Sequence, residues 1–367
     1  MAKTIRRKNE GKRKRNKYGL LLHMIFLATA TLLAIILCIL STVEYLQLKK
    51  NNRQLSQEVT QLTDELDHSY SEEQMQELVS EAKQEQAVTS LTEGKKLILD
   101  YIQNHLSTGS TVLDTLKALY PDDLVVADKG YHFIPISDEL AHHPFNLNQF
   151  IADEDGYLQY HENGQIISKK GIDVSRYQEK IDWKKVVKTG IEYVFIRSGV
   201  RGYTKGEIKE DDRFVENIEG ALEADLDVGV YFVTQAMDEE EAIEEAEFVL
   251  DQIADYEVTY PIVLDVEDVE NGEARSASLT MDERTKCIIA FCDTIREAGY
   301  EPMIYGNMKS FMRRMNLEEL EDYKKWIAYY DTNLYFPYAF DVWQYTDQGK
   351  ADGIKGNVDY NISFYEP

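Results

Sequence analysis

From about residue 171 to the C-terminus, short apolar runs alternate with longer segments whose apolar positions recur every three or four residues. The runs Gly171–Ser175, Ile191–Ser198, Val228–Phe232, Tyr260–Glu267, Pro302–Tyr305, Trp326–Tyr330, Val342–Tyr345 and Val358–Ile362 predict strands. Between them, Asp182–Val187 opens a helix that stops at Gly190. Phe214, Ile218, Ala221 and Leu222 share one face of a helix over Asp211–Asp225. Ala242, Ala246, Phe248, Val249 and Ile253 form the stripe of a helix over Glu239–Ile253, and a third runs from Met281 to Ala298 and ends at Gly299. Strands separated by helical connections predict parallel β/α units, and eight such strands close a barrel. Roughly 200 residues is short for a complete (β/α)8 fold. The expected fold class is therefore α/β, an irregular (β/α) barrel over 168–367 with several helices missing.

The N-terminal half follows other patterns. Residues 1–18 are densely basic, a tail, and Leu20 to Val43 carries no charge. At about 1.5 Å per residue this length crosses a bilayer core of about 30 Å, which predicts a transmembrane helix over 19–43. The stretch is longer than the apolar core of a cleavable signal peptide and lacks its small-residue cleavage site. The positive-inside rule keeps the basic tail cytoplasmic and sends the rest of this single-pass chain outside the cell membrane. Residues 44–90 form a helical, coiled-coil stalk in which Tyr45, Asn52, Val59 and Leu66 alternate with Leu48, Leu55 and Leu62. An amide at a core position favours a parallel homodimer in register, here through 45–66; a single solvated helix is the alternative. The stalk continues as a polar helix to about Gln86. From 91 to 167 the pattern turns globular, with helices around Lys96–Leu106 and Thr111–Leu119 and β-like runs around Tyr131–Ile136 and Tyr157–Ile167. These predict a small separate α+β domain.

Candidate chemistry concentrates in the fourth strand. Tyr260-Pro-Ile-Val-Leu-Asp265-Val-Glu267 is an apolar run interrupted near its carboxyl end by two acids two residues apart. Alternate side chains of a strand share a face, so Asp265 and Glu267 point one way, with Cα atoms roughly 6–7 Å apart. Carboxylates at an apolar strand end cost free energy unless a ligand, a hydrogen bond or a role in chemistry offsets it. A pair at about this separation is what cleavage of a glycosidic bond requires. Barrel chemistry sits where strands end at the carboxyl face. Asp173, Arg197, Gln235, Asn307, Asp331, Gln344 and Asp359 stand at other such ends. Tyr231, Tyr305, Trp343 and Tyr345 are candidates for an aromatic sugar platform, with Gln235 for hydroxyl contacts.

The segments GIDVSRYQEKIDW at 171–183, DDRFVENIEGA at 211–221, GVYF at 229–232, YPIVLDVE at 260–267, MIYGN at 303–307, WQYT at 343–346 and GNVDYNISF at 356–364 together resemble the family 25 glycoside hydrolases. These are lysozymes that cut the β-1,4 bond between N-acetylmuramic acid and N-acetylglucosamine. The resemblance runs from about Gly171 to the C-terminus. It implies an irregular β/α barrel whose four acids fall on Asp173, Asp265, Glu267 and Asp359, and peptidoglycan glycan strands as the partner. It implies Glu267 as general acid/base and Asp265 as stabiliser of the charged ring formed when the sugar's 2-acetamido group attacks, with retained configuration. Strand spacing alone leaves retention and inversion both open. An ionised Asp265 would help to keep Glu267 protonated. Asp173 and Asp359 would bind substrate hydroxyls or tune the pair. Two positions depart from the pattern: Tyr177 stands where a histidine is common, and Glu179 where a glycine often follows.

Composition narrows the partners. The net charge of −26 persists despite the basic tail, so the remainder is more acidic still and no nucleic acid is expected. Three cysteines form no disulfide framework, with Cys38 in the span and Cys287 and Cys292 on one predicted helix. His142 and His143 lack the neighbouring ligands of a metal site, and no cofactor is expected. The expected activity is that of a membrane-anchored peptidoglycan hydrolase. The same plan also suits a non-catalytic cell-wall-binding or division scaffold protein. The assigned orientation predicts that protease added outside intact cells degrades the barrel and spares an epitope placed before Lys17; digestion of the tag with a protected barrel would reverse it.

Overall fold

The computed structural model describes residues 29, 31–32, 35–37, 39–63, 72–267, 274–331 and 333–367. The chain divides into two units, residues 1–101 and 102–367. In the first, 39–63 is helical, and the helix α1 (Glu72–Ser107) follows and runs on into the second unit. Tyr45, Leu48, Leu55, Val59 and Leu62 are all exposed on the first helix; Leu66 of the predicted heptads lies outside the described residues. Most of the predicted span over 19–43 also lies outside them, and among the described residues no helix is long and apolar enough to cross a membrane. The polar helix expected to end at about Gln86 and the helix expected around Lys96–Leu106 are one, and Gly94 between them costs a helix only about 1 kcal/mol.

The second unit is built around a closed barrel. Its strands are β1 (Lys169–Val174), β2 (Tyr193–Arg201), β3 (Asp227–Val233), β4 (Ile262–Asp265), β5 (Pro302–Asn307), β6 (Lys324–Ala328), β7 (Val342–Gly349) and β8 (Val358–Ser363). Hydrogen bonding follows chain order from β2 to β8, β8 returns to β1, and β1 pairs with β2 to close the ring. All neighbours from β1 through β7 run parallel, whereas β8 is antiparallel to both β7 and β1. The reason is length: residues 350–357 are too few for a crossover, so the chain must turn back as a hairpin. A short strand, Ile208–Glu210, adds to the free edge of the β2 extension.

Helices α3 (Phe214–Glu223), α4 (Glu239–Ile253) and α5 (Met281–Glu297) cover the barrel, as their apolar stripes predict. Asp238 caps α4 by accepting from the Glu241 amide, and Thr280 with Glu283 forms a capping box on α5. Only a six-residue helix, α6 (Met308–Arg313), follows β5. Thus the later β/α units are short of helix, in line with their connection lengths.

Aromatic rings fill the lower barrel. Phe195 stacks on Trp326 with centroids 4.5 Å apart, and Tyr193 on Tyr260 at 4.5 Å. Rings this large leave no room for side chains on every neighbouring strand, so two inward positions are glycine. A Cβ on Gly171 would meet the Tyr193 ring at 2.2 Å, and one on Gly229 would meet Phe195 at 2.5 Å.

Residues 112–166 form α2 (Val112–Leu119), a hairpin of Asp123–Ala127 with Tyr131–Pro135, and a small sheet of Phe150–Ala152, Leu158–Glu162 and Gln165–Ile166. Expected as a separate domain, this segment belongs to the same compact unit as the barrel. Leu124, Tyr157, Leu158 and Tyr160 are buried in one apolar cluster with Trp343, Tyr360 and Ile362. Phe145 stacks on Phe364 at 3.9 Å, and the Tyr335 and Tyr338 hydroxyls accept the Val125 and Ser137 amides. Two- and three-stranded sheets bury too little surface to stand alone, so they use the barrel as their core.

Gly171→Ala should lower stability by about 1–3 kcal/mol, the cost of overpacking a filled core, read as a reduced denaturant midpoint. An unchanged midpoint would show that the Tyr193 ring yields freely.

Candidate active site

Strand alternation divides the upper barrel into an inner and an outer set. Asp173, Arg197, Tyr231, Asp265, Tyr305, Gln344 and Asn361 face inward above the aromatic plug, and Glu267 follows two residues past Asp265. Parallel register aligns Asp265 with Val233 and Tyr305, while the antiparallel pairing sets Asp359 directly opposite Asp173. All four predicted acids therefore meet at the carboxyl end of the barrel.

A hydrogen-bonded network holds them. Asp173 Oδ2 accepts from Gln344 Nε2 and Asn361 Nδ2, both at 2.8 Å. Gln344 Oε1 in turn accepts from the Tyr305 hydroxyl at 2.8 Å and the Tyr330 hydroxyl at 2.7 Å. Trp326 Nε1 donates to Asn361 Oδ1 at 2.9 Å, which ties the network to the plug below. Asn307 does two jobs: its oxygen caps α6 by accepting from Ser310 N, and its amide donates to Glu267 Oε1 at 3.3 Å. Glu267 is thus held from the next strand while remaining partly exposed.

The electrostatics differ among the acids. Burial raises the pKa of Asp265 well above the carboxylate range, and the charges of Glu267 and then Asp173 add to the shift, with Arg197 opposing. Its Oδ1 has no hydrogen-bond partner among the described residues. A buried carboxyl oxygen without a partner is costly, so Asp265 is poised to accept a donor from a molecule entering the mouth. Burial thus pushes Asp265 toward its neutral form, whereas the expected arrangement takes it as ionised beside a protonated Glu267. Burial also raises Asp173, against the two amides donated by Asn361 and Gln344. Asp359 is pushed up to about 9 by burial, by the charge of Asp173, and by its hydrogen bond to Asp173. The proton of that pair therefore resides on Asp359, which donates to Asp173.

Tyr231 and Tyr305 lie inside the mouth as expected. The Tyr231 ring meets Trp326 edge-on, and Asp173 and Asp265 are among the groups acting on its hydroxyl. Trp343 and Tyr345 do not join them. They flank Gln344 on β7, so when Gln344 faces inward both must face outward. Trp343 is fully buried against Phe150 and donates to Tyr329 O, and the Tyr345 hydroxyl accepts the Leu158 amide. Both dock the N-terminal sheet. Gln235 is also buried: its Oε1 accepts from Ser276 Oγ, so it supports the loop over 275–278. Asn361 and Tyr330 were missed because neither ends an apolar run with a charge; only the inward parity of β8, and that of β6 carried two residues past its end, could have flagged them.

Arg197 Nε and Nη2 both donate to one oxygen, Oδ2, of buried Asp211, at 2.7 Å and 2.6 Å. Tyr177, one of the two departures, is exposed and its ring lies 5.0 Å from the Arg197 guanidinium and 5.2 Å from Arg176. Glu179, the other, sits at φ 55° and ψ −132°, a conformation that favours glycine. Glycine there is thus a backbone requirement that this chain meets with strain. Among the described residues no cluster of His, Cys, Asp and Glu could hold a metal ion.

Residues 172–354 match the family model of Glycosyl hydrolases family 25. The uncharacterized protein YegX of Escherichia coli O157:H7 is 29% identical over 203 residues, 52% of this chain and 68% of that protein. The autolytic lysozyme of Clostridium acetobutylicum is 26% identical over 191 residues, and the match spans 52% of this chain and 54% of the lysozyme. Among solved structures, the modular autolysin LytC from Streptococcus pneumoniae in complex with a synthetic peptidoglycan ligand is 25% identical with a TM-score of 0.50. That likeness covers 66% of this chain and 56% of LytC. The C-terminal half carries a distant family 25 lysozyme-like domain.

The Asp359–Asp173 pair sets a pH dependence. The unfolded chain releases the Asp359 proton near pH 4, and the native state holds it to about 9. Over that window the native state binds more protons, so its stability falls as pH rises. Asp359→Asn keeps a donor toward Asp173 without a titrating proton. Its melting temperature should gain on the wild type from pH 4 to 9 in scanning calorimetry; parallel curves would mean that Asp359 ionises normally.

Proposed function

We propose, from the premise that the C-terminal half is a family 25 lysozyme-like domain, that this chain is a peptidoglycan hydrolase cleaving the β-1,4 bond between N-acetylmuramic acid and N-acetylglucosamine. The observation that carries the reading is the meeting of Asp173, Asp265, Glu267 and Asp359 at one barrel mouth, with one buried oxygen of Asp265 unsatisfied among the described residues.

Cleavage requires a proton for the leaving oxygen. Glu267 is the proposed donor, since it is the partly exposed member of the pair and Asn307 orients it toward the mouth. Asp265 is the proposed stabiliser. Its free Oδ1 suits an N–H donor such as the substrate's 2-acetamido group, and formation of a cationic ring next to it would draw Asp265 into its charged form. The acetamido oxygen would then attack its own anomeric carbon from the face opposite the leaving group. Water would open the resulting ring with Glu267 as base, retaining the β configuration. Asp173, fixed by two amides and the proton of Asp359, would bind a sugar hydroxyl, and Tyr231 and Tyr305 would line the subsite.

The proposed setting is the outer face of a membrane. It rests on the basic residues 1–18 and the uncharged stretch from Leu20 to Val43. The exposed apolar stripe Leu48, Leu55 and Leu62 suits pairing of two stalks.

Glu267→Gln should reduce release of reducing ends from purified peptidoglycan about 10²–10⁴-fold, with the fold unchanged. Borohydride reduction of wild-type products should yield muramitol, and NMR of the first turnover should report the β-anomer. Glucosaminitol would make the chain a glucosaminidase, an α-anomer would indicate an inverting pair, and no cleavage by the wild type would favour a glycan-binding scaffold.

A further inference from the structure

A cavity of about 350 Å³ adjoins the mouth on the side covered by the N-terminal segment. One wall is α2 and the hairpin after it, with Leu113, Lys117 and Val125; the other is the barrel rim, with Asn307, Met308 and Tyr330. Two rim residues are already engaged with the acids. Asn307 donates to Glu267, and Tyr330 donates to Gln344, which donates to Asp173. A molecule whose sugar ring lies against the acids would therefore send its substituents into this cavity.

The outer wall is firmly built. The Tyr335 hydroxyl accepts the Val125 amide and donates to Asp123 O. Asp128, at the hairpin turn, bonds both Arg313 and Arg314 at the end of α6, at 3.0 Å and 3.1 Å. This wall lies outside the residues 172–354 that match the family model.

Lys117 is the cation on that wall. Its Nζ donates to the Tyr329 hydroxyl at 3.1 Å and lies 4.3 Å from the Tyr335 ring centroid. An ammonium has three donors, and these contacts orient it while leaving capacity for an anionic acceptor. In a chain of net charge −26, an ordered cation beside the mouth is a selective feature.

We propose that this cavity is a recognition site for a carboxylate branching from the glycan, received by Lys117, with Leu113, Val125 and Met308 against the aliphatic part of the branch. The inference rests on the peptidoglycan reading. In that polymer the carboxylate has two sources, the lactyl group of a peptide-free muramic acid and the acidic residues of an attached stem peptide.

The test uses the full chain and three substrates: peptide-stripped glycan, peptide-bearing glycan, and a neutral oligomer of N-acetylglucosamine. Lys117→Gln should raise KM about tenfold or more on one or both carboxylate-bearing glycans, the loss of one hydrogen bond between charged groups. Affinity for the neutral oligomer, read by titration calorimetry, and kcat on the two carboxylate-bearing glycans should stay unchanged, and Lys117→Arg should restore binding. A rise on stripped glycan identifies the lactyl carboxylate; a rise confined to peptide-bearing glycan identifies the stem. Equal KM values for wild type and Lys117→Gln on both overturn the proposal. If the wild type cleaves nothing, the hydrolase reading fails separately, and titration calorimetry with the same glycans decides the site. Tighter binding of the carboxylate-bearing glycans that Lys117→Gln abolishes supports it, and equal binding by both proteins overturns it.

Discussion

The constraint on which the site depends is the desolvation of carboxylates above a sealed barrel. Closure of β1 onto β2 and the plug of Tyr193, Phe195, Tyr260 and Trp326 exclude solvent from below. Acids on the next inward layer, Asp173 and Asp265, are consequently buried on every side except the mouth. Each responds differently. Asp173 receives two amides and a proton from Asp359, while Asp265 has no donor for one oxygen among the described residues and is driven toward its neutral form. One geometry thus separates a fully satisfied acid from an unsatisfied one a few strands away, and an unsatisfied group at an open mouth is where a ligand gains most.

The surrounding polar residues extend that logic outward. Gln344 works because it is both donor and acceptor: it gives its amide to Asp173 and takes hydroxyls from Tyr305 and Tyr330. Asn307 links the same layer to α6 and to Glu267. These neutral groups hold charged ones without adding further charge to a crowded site. The antiparallel return of β8 is essential to the arrangement, since it brings Asp359 and Asn361 to the strand that bears Asp173.

The N-terminal segment shows the opposite economy. Its sheets are too small to fold around themselves, and they borrow the outer faces of β7 and β8 through Trp343, Tyr345, Tyr360 and Phe364. Residues that resemble a sugar platform in isolation are in fact the docking surface for this addition. In return the addition builds a wall beside the cleft, clamped by Asp128 and Tyr335.

The strands, the long helices and the Asp265–Glu267 pair were legible along the chain, because period two, period 3.6 and an acid inside an apolar run are local signals. The order of the elements likewise announced a barrel, since parallel strands with helical connections have few ways to close. Which aromatic residues face the mouth was not legible. Trp343 and Gln344 are neighbours in one strand, and only the pairing of β7 with β6 and β8 decides which of them points inward. The fate of residues 112–166 was undetermined for the same reason: their burial depends on partners about two hundred residues away. Nor does any stretch of sequence reveal which acid carries a proton. That follows from how many opposing groups the closed barrel brings within reach of each carboxyl, a sum that exists only once the chain has folded.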